Sequence, residues 1–282
     1  SIAPLHESPA GAGLTAAGAD DGIISVTRDG GKTWIRTESF PGVPDTTYVS
    51  RVTWSNAADG TLYATFDGHR SNDFKAYVLK STDYGRTWTS IKGDLPDGGA
   101  TQVIREHPRQ PNLLFVGTEF GVWFTVDGGS HWTRLDNGLP VVPVHDIALQ
   151  ARENDLVIGT HGRGIFILDD LTPLEHLARA KLATTAHLYP VQDVLQYQPN
   201  GTRSSGVGSS GYAGQNPQPG ARIAYLVNEL PADTRATLAI VDGSGTVIRE
   251  LPMNRTPGLH RPIWDMRVGA PLTGPVAPRA GP

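Results

Sequence analysis

Short apolar runs separated by Gly- and Asp-containing breaks fill the first 170 positions of the chain. The stretch "LLFVGTEFGVWFTVDGGSHWTRL" at 113–135 shows the pattern most plainly. "LLFVGT" is β-prone, "EFG" interrupts it, "VWFTV" resumes, "DGG" interrupts again, and "SHWTRL" alternates. This predicts a meander of short antiparallel strands. The same reading places strands near 1–6, 14–19, 22–27 and 32–37, then near 47–54, 61–66, 76–81 and 86–91, then near 101–106, 112–118, 121–126 and 130–135. A fourth set begins with "VPVHDIAL" at 142–149 and continues with "DLVIGT" at 155–160 and "GIFILDD" at 164–170.

These sets are repeats. "TRDGGKTW" (27–34), "STDYGRTW" (81–88) and "TVDGGSHW" (125–132) share Ser/Thr-x-Asp-x-Gly-x-x-Trp, with Asp29, Asp83 and Asp127 spaced by 54 and 44 residues. A period in that range marks a repeat architecture of four-stranded units. The Asp carboxylate suits backbone N–H groups inside a tight turn, and the Gly supplies positive φ. The Trp then covers the hairpin with a large apolar surface. Asp29, Trp34, Asp83, Trp88, Asp127 and Trp132 are therefore expected to be structural. "GADDG" (18–22), "GTEFG" (117–121) and "GTHGRG" (159–164) recur between the second and third strands.

Composition narrows the field. With 33 Gly, 22 Pro and only 18% charged residues, the chain is rich in turns. A net charge of −4 leaves no basic footprint for nucleic acid. The absence of Cys excludes disulfides and thiolate metal sites. No apolar run is long enough to span a membrane. No signal-peptide pattern opens the chain, and Ser1 begins in a strand, which suggests a mature form or a fragment.

The repeated turns resemble the Asp boxes of bacterial neuraminidase repeats (BNR repeats), found in β-propellers of sialidases, xyloglucanase-type glycosidases and sortilin-type receptors. "LVIGTHGRGIFILDDLTPL" and the tail "NPQPGARIAYLV … IVDGSGTVIREL … PGLHRPIWDMR" are similar to a bacterial sortilin-like or glycosyl-hydrolase-like group. The resemblance implies an all-β Asp-box β-propeller, four blades in this chain as part of a larger ring, followed by a partial, immunoglobulin-like β-sandwich. The expected organisation is blades with a closing helix and strand over 1–198, a Gly/Ser/Pro linker over 199–220, and the β-domain over 221–282. "TPLEHLARAKL" (172–182) reads as a helix, with Thr172 as N-cap, Pro173 in its first turn and Glu175 as capping-box partner. The further blades implied by the resemblance would lie in the same protein or on another chain.

In a propeller, the loops between second and third strands and the blade connections share one face. That face is expected to carry Asp20 and Asp21, then His69, Arg70, Asp73 and Lys75 from the long loop "DGHRSNDFKA", then Glu119, His161 and Arg163. Arg51, Gln102, His145 and Asp146 begin inner strands near the channel mouth. Arg51, His69, Arg70, Glu119, His145, His161 and Arg163 are the binding candidates. The expectation is an extracytoplasmic bacterial recognition or scaffold module that binds a protein, peptide or glycan. The alternative is an Asp-box glycoside hydrolase acting on a polysaccharide, with a carboxylate pair drawn from Asp20, Asp21, Glu119 and Asp146. The sialidase version is disfavoured, because no third Arg and no Tyr–Glu pair fall in register. No Ser nucleophile elbow is present. No cofactor and no metal are expected; "DDG" (20–22) and "LDD" (168–170) offer carboxylates for Ca²⁺ but lack an alternating ligand loop.

Overall fold

The computed structural model of the chain describes residues 2–9, 11–136, 138–183, 185–196, 218–234 and 236–268. Two compact units emerge, Ser1–Leu177 and Ala178–Pro282.

The first unit is a series of β-propeller blades. Blade 1 comprises β1 (Ile2–Glu7), β2 (Thr15–Ala19), β3 (Ile24–Thr27) and β4 (Ile35–Thr37). Blade 2 comprises β5 (Tyr48–Trp54), β6 (Leu62–Asp67), β7 (Tyr77–Ser81) and β8 (Thr89–Ser90). Blade 3 comprises β9 (Thr101–His107), β10 (Gln110–Thr118), β11 (Gly121–Thr125) and β12 (Thr133–Leu135). Blade 4 has β13 (Val144–Gln150), β14 (Asp155–Thr160) and β15 (Ile165–Leu168). Each sheet pairs its strands in sequence order, as meanders must. Every inner strand carries a register irregularity against its partner at the same place, at Ile2/Leu5, Val49/Arg51, Gly117/Thr118 (opposite Val103/Thr101) and Val144/Asp146. A bulge there increases local twist and bends the strand.

Strand alternation gives each blade two apolar faces, and neighbouring blades share a core. Ile24 and Val26 of blade 1 pack with Val49, Phe66, Leu79 and Trp88 of blade 2. Tyr63 and Val78 of blade 2 pack with Ile104, Leu114, Val116 and Trp132 of blade 3. Phe115, Val122 and Phe124 of blade 3 pack with Ile147, Leu156 and Ile158 of blade 4. Buried polar links accompany them. The Glu106 carboxylate, 3% exposed, accepts from Ser55 Oγ at 2.8 Å, Asn56 N at 2.7 Å and the Tyr63 hydroxyl at 2.7 Å. Burial and this carboxylate push the Tyr63 pKa up, so its hydroxyl remains a donor.

After β15 the expected single helix is two short ones, α1 (Thr172–Glu175) and α2 (Leu177–Ala180). Thr172 is not the N-cap: Leu171 precedes the helix, and the Asp170 carboxylate accepts from Thr172 N at 3.1 Å. Glu175 makes no capping box either. It accepts from Arg109 Nε at 2.9 Å and Asn154 Nδ2 at 3.1 Å, tying the helix to blades 3 and 4.

The second unit contains β16 (Ala186–Leu188), β17 (Ala221–Arg222), β18 (Tyr225–Val227), β19 (Leu238–Val241), β20 (Val247–Leu251), β21 (Gly258–His260) and β22 (Ile263–Trp264). They form sheets β16-β18-β21, β17-β22 and β19-β20 around Ile223, Tyr225, Val227 and Leu238. The strand near 186–188, counted with the blades in the sequence reading, pairs here with β18. Of the expected linker at 199–220, all but 218–220 lies outside the described residues.

Candidate functional site

The repeated turns are built as the sequence demands. Asp29 accepts from Thr27 Oγ1 (2.9 Å), Thr33 N (2.8 Å) and Thr33 Oγ1 (2.5 Å). Asp83 repeats this with Ser81 Oγ (2.9 Å), Thr87 N (2.9 Å) and Thr87 Oγ1 (2.7 Å). Asp127 uses Thr125 Oγ1 (2.6 Å), Ser130 N and His131 N (both 3.0 Å), and His131 Nδ1 (2.8 Å). The Thr33 hydroxyl and amide lead in holding Asp29 down at a pKa of about 2. Asp127 also sits at about 2: burial opposes this, and the bonds from Thr125 and His131 outweigh it. The residue after each Asp takes positive φ: 71° at Gly30, 61° at Tyr84 and 74° at Gly128. Tyr84, unusual there, is secured by its hydroxyl on Asp59 at 2.6 Å and by the Arg28 guanidinium 3.8 Å above its ring. Trp88 and Trp132 are buried, each 6% exposed, but Trp34 is 47% exposed. Trp88 and Trp132 cover their turns against the blade in front, whereas Trp34 belongs to the first blade described.

The opposite loop face holds a cleft of about 830 Å³. Its polar wall is His69, Arg70, Gln102, Glu119, His145 and His161, with Asp67 behind. Its apolar wall is Tyr48, Phe74, Phe120, Val141 and Pro143. Phe74, Phe120 and Val141 are 45%, 50% and 66% exposed. The long loop of blade 2 forms one side. It folds as a 3₁₀ turn over His69–Ser71 and closes through Asn72 at φ 59°, with Asp73 N donating to Gly68 O at 3.1 Å. Asp73 accepts from the Tyr77 hydroxyl at 2.6 Å, so it braces the loop.

A hydrogen-bond chain runs through the cleft. Asp67, buried at 5% exposure, accepts from His69 N at 2.9 Å and lies 2.7 Å from His69 Nδ1. Gln102 Nε2 donates both to Asp67 Oδ2 at 2.9 Å and to Glu119 Oε1 at 3.0 Å. The carboxylate behind His69 fixes its ring orientation, as a structural partner does for a binding histidine. Arg70 lies 6.0 Å above the Tyr48 ring, and His145 and His161 stack with centroids 5.1 Å apart.

Five of the seven binding candidates, His69, Arg70, Glu119, His145 and His161, therefore line one cleft. Arg51 lies outside the lining: it donates to Asp146 Oδ1 at 3.0 Å. Arg105 donates to the same oxygen at 3.1 Å, so three inner strands converge on one carboxylate. Asp146 is thus tied by two guanidiniums. Arg163 is exposed in the β14–β15 turn, and Asp20 and Asp21 are exposed in the β2–β3 turn, all outside the lining. The sequence reading missed Asp67, Tyr48, Phe74 and Phe120. Asp67 carried a signal, because it stands last in β6 immediately before Gly68 and the long loop.

Among the described residues no group of three or more His, Cys, Asp or Glu side chains is placed to hold a metal, and no helix is long and apolar enough to cross a membrane. No family model matches the chain, and no curated protein matches it. Among solved structures it is similar to the GH74 xyloglucanase from Xanthomonas campestris, with 12% identity and a TM-score of 0.44, over 56% of this chain and 26% of that one. It is similar to YCF48 from Cyanidioschyzon merolae, with 18% identity and a TM-score of 0.42, over 60% and 52%. It is also similar to YCF48 bound to D1 peptide, with 14% identity and a TM-score of 0.44, over 89% and 68%. The chain thus spans about a quarter of the xyloglucanase and about half of the first YCF48 chain. The propeller fold itself rests on the blades described above.

Proposed function

We propose that the protein is a β-propeller recognition module, and that the loop-face cleft captures an extended segment of a protein partner. The observation that carries this reading is the division of the cleft into an exposed aromatic wall and a wall of histidines and arginine. Exposed Phe74 and Phe120 supply apolar anchors, and Arg70, His145 and His161 supply donors for carbonyls or carboxylates. An extended peptide offers both kinds of group in alternation. Such a module fits an extracytoplasmic bacterial protein, as the resemblance of its repeats implies.

A second reading is favoured by one feature. Asp67 and Glu119 both accept from Gln102 Nε2, which keeps one oxygen of each carboxylate no more than about 6 Å apart, near the roughly 5–5.5 Å spacing of retaining glycosidase pairs. Asp67, however, is covered and already accepts from His69 and Gln102, which suits a positioning role better than a chemical one. A panel of random-sequence peptides and soluble β-glucans, assayed for binding and for reducing-end release, separates the two readings. Peptide binding without glycan turnover supports recognition. Glycan hydrolysis abolished by Glu119→Gln, with glycan binding retained, overturns it.

A further inference from the structure

In one corner of the loop-face cleft the polar atoms left over by internal hydrogen bonds are all acceptors. Asp67 lies 2.7 Å from His69 Nδ1. An ionised carboxylate only accepts, so Nδ1 carries the proton, and in the neutral ring Nε2 holds a lone pair. The covered Asp67 takes Nδ1, which leaves Nε2 as the polar atom of that ring available in the cleft. The amide of Gln102 is oriented by the same logic. Its nitrogen donates to Asp67 Oδ2 and to Glu119 Oε1. Both N–H bonds are thereby used, and the flipped amide would set a carbonyl against two carboxylates. Gln102 Oε1 therefore remains an acceptor, with no donor bonded to it among the described residues. Glu119 Oε2 is the third. Glu119 accepts from this neutral amide and forms no ion pair among the described residues. Asp146, by contrast, is held by two guanidiniums.

An aromatic ring stands beside these acceptors. Phe120 follows Glu119, is 50% exposed, and rests on Gly99. A Cβ built on Gly99 would lie 2.8 Å from Phe120 Cδ2 and 3.4 Å from Glu119 Cβ. Glu119 N donates to Ala100 O at 3.3 Å, and Phe120 N donates to Thr118 Oγ1 at 3.2 Å. Backbone contacts thus fix carboxylate and ring side by side.

The chemistry of the corner selects its ligand. A carboxylate or carbonyl finds no donor among these three atoms, and a hydroxyl brings a single proton. A Lys ammonium brings three donors and an Arg guanidinium five, neither has an acceptor, and both bring the charge that Glu119 lacks. Their stems are apolar and pack along an aromatic ring, whose face attracts the cation. We propose that this corner takes a cationic side chain, Lys or Arg, of the bound segment. Glu119 is its counter-ion, Gln102 Oε1 and His69 Nε2 are further acceptors, and Phe120 lies along its stem. Such a pocket rests on the peptide-recognition reading above and adds a preference to it. Arg70, His145 and His161 are left for the other polar groups of the segment.

Phage-displayed random peptides selected on the immobilised whole chain, then titrated calorimetrically, test this. The wild type is expected to enrich peptides with Lys or Arg at a fixed position. Replacing that residue by norleucine should lower wild-type affinity about tenfold or more. In Glu119→Gln, which loses the charge and keeps the shape, the same replacement should cost less than about twofold. Glu119→Lys, with unchanged circular dichroism, should enrich Asp or Glu at that position, an outcome that misfolding cannot produce. Enriched peptides without a basic residue overturn the cationic pocket and leave recognition standing. So does a norleucine replacement that weakens wild type and Glu119→Gln equally. Enrichment of no peptide at all overturns both.

Discussion

At the scale of single residues, the repeated turn does two jobs that separate cleanly. The Asp satisfies turn donors, and the Trp glues one blade to the one in front. Trp132, 6% exposed between blades 2 and 3, is expected to cost about 3–5 kcal/mol on replacement by Ala. Trp34, in the same sequence position but 47% exposed, is expected to cost below about 1 kcal/mol. Chemical denaturation of the two variants side by side checks this; equal losses would show that the Trp acts within its own turn. Asp127→Ala is expected to cost about 1 kcal/mol, since water replaces part of what the donors lose. The acid limb of stability follows from the same groups. Asp29 and Asp127 titrate near 2 in the fold against 3.8 ordinarily. Depressed carboxylates stabilise above their unfolded value, and the gain vanishes as pH falls from about 4 to about 2. Melting temperature should drop across that window, and Asp127→Asn should shrink the drop.

At the scale of elements, the strand meanders could be read from the sequence, because alternation and turn residues are local. The turn chemistry was equally readable, since Thr27, Asp29, Gly31 and Trp34 lie within one hairpin. What was not readable lies between blades. That Gly117 accommodates Val144, or that Glu106 accepts from Ser55 and Tyr63, depends on contacts across tens of residues. The helix after β15 failed for the same reason: Glu175 has the spacing of a capping residue, yet Arg109 and Asn154 from other elements claim it. The close packing around Gly117 gives a sharp test. Gly117→Val should cost about 1–3 kcal/mol or more, because Val103 and Val144 leave no room. Gly159→Val should cost clearly less, since the nearest atom to a Cβ there is Asp146 O at an ordinary 3.5 Å. Equal destabilisation by both would contradict the interblade packing described.

At the scale of the whole molecule, propeller geometry turned scattered sequence candidates into one cleft. His69, Arg70, Glu119, His145 and His161 come from three different blades, and only the order of strands around the sheets brings them together. The same geometry sends Arg51 and Asp146 into an ion pair between inner strands and leaves Asp20, Asp21 and Arg163 in exposed turns outside the cleft. The aromatic wall escaped the sequence reading because exposed Phe74 and Phe120 look, residue by residue, like ordinary loop positions. The most direct test of the recognition reading is a peptide-library selection on the immobilised protein. Enriched peptides are then titrated calorimetrically into the wild type, Phe120→Ala, Arg70→Ala and, as a control outside the cleft, Asp21→Ala. Peptides are expected whose affinity falls at least tenfold, about 1.4 kcal/mol, in Phe120→Ala and Arg70→Ala but not in Asp21→Ala. Failure to enrich any peptide, or enrichment of peptides that bind all four proteins equally, would contradict it.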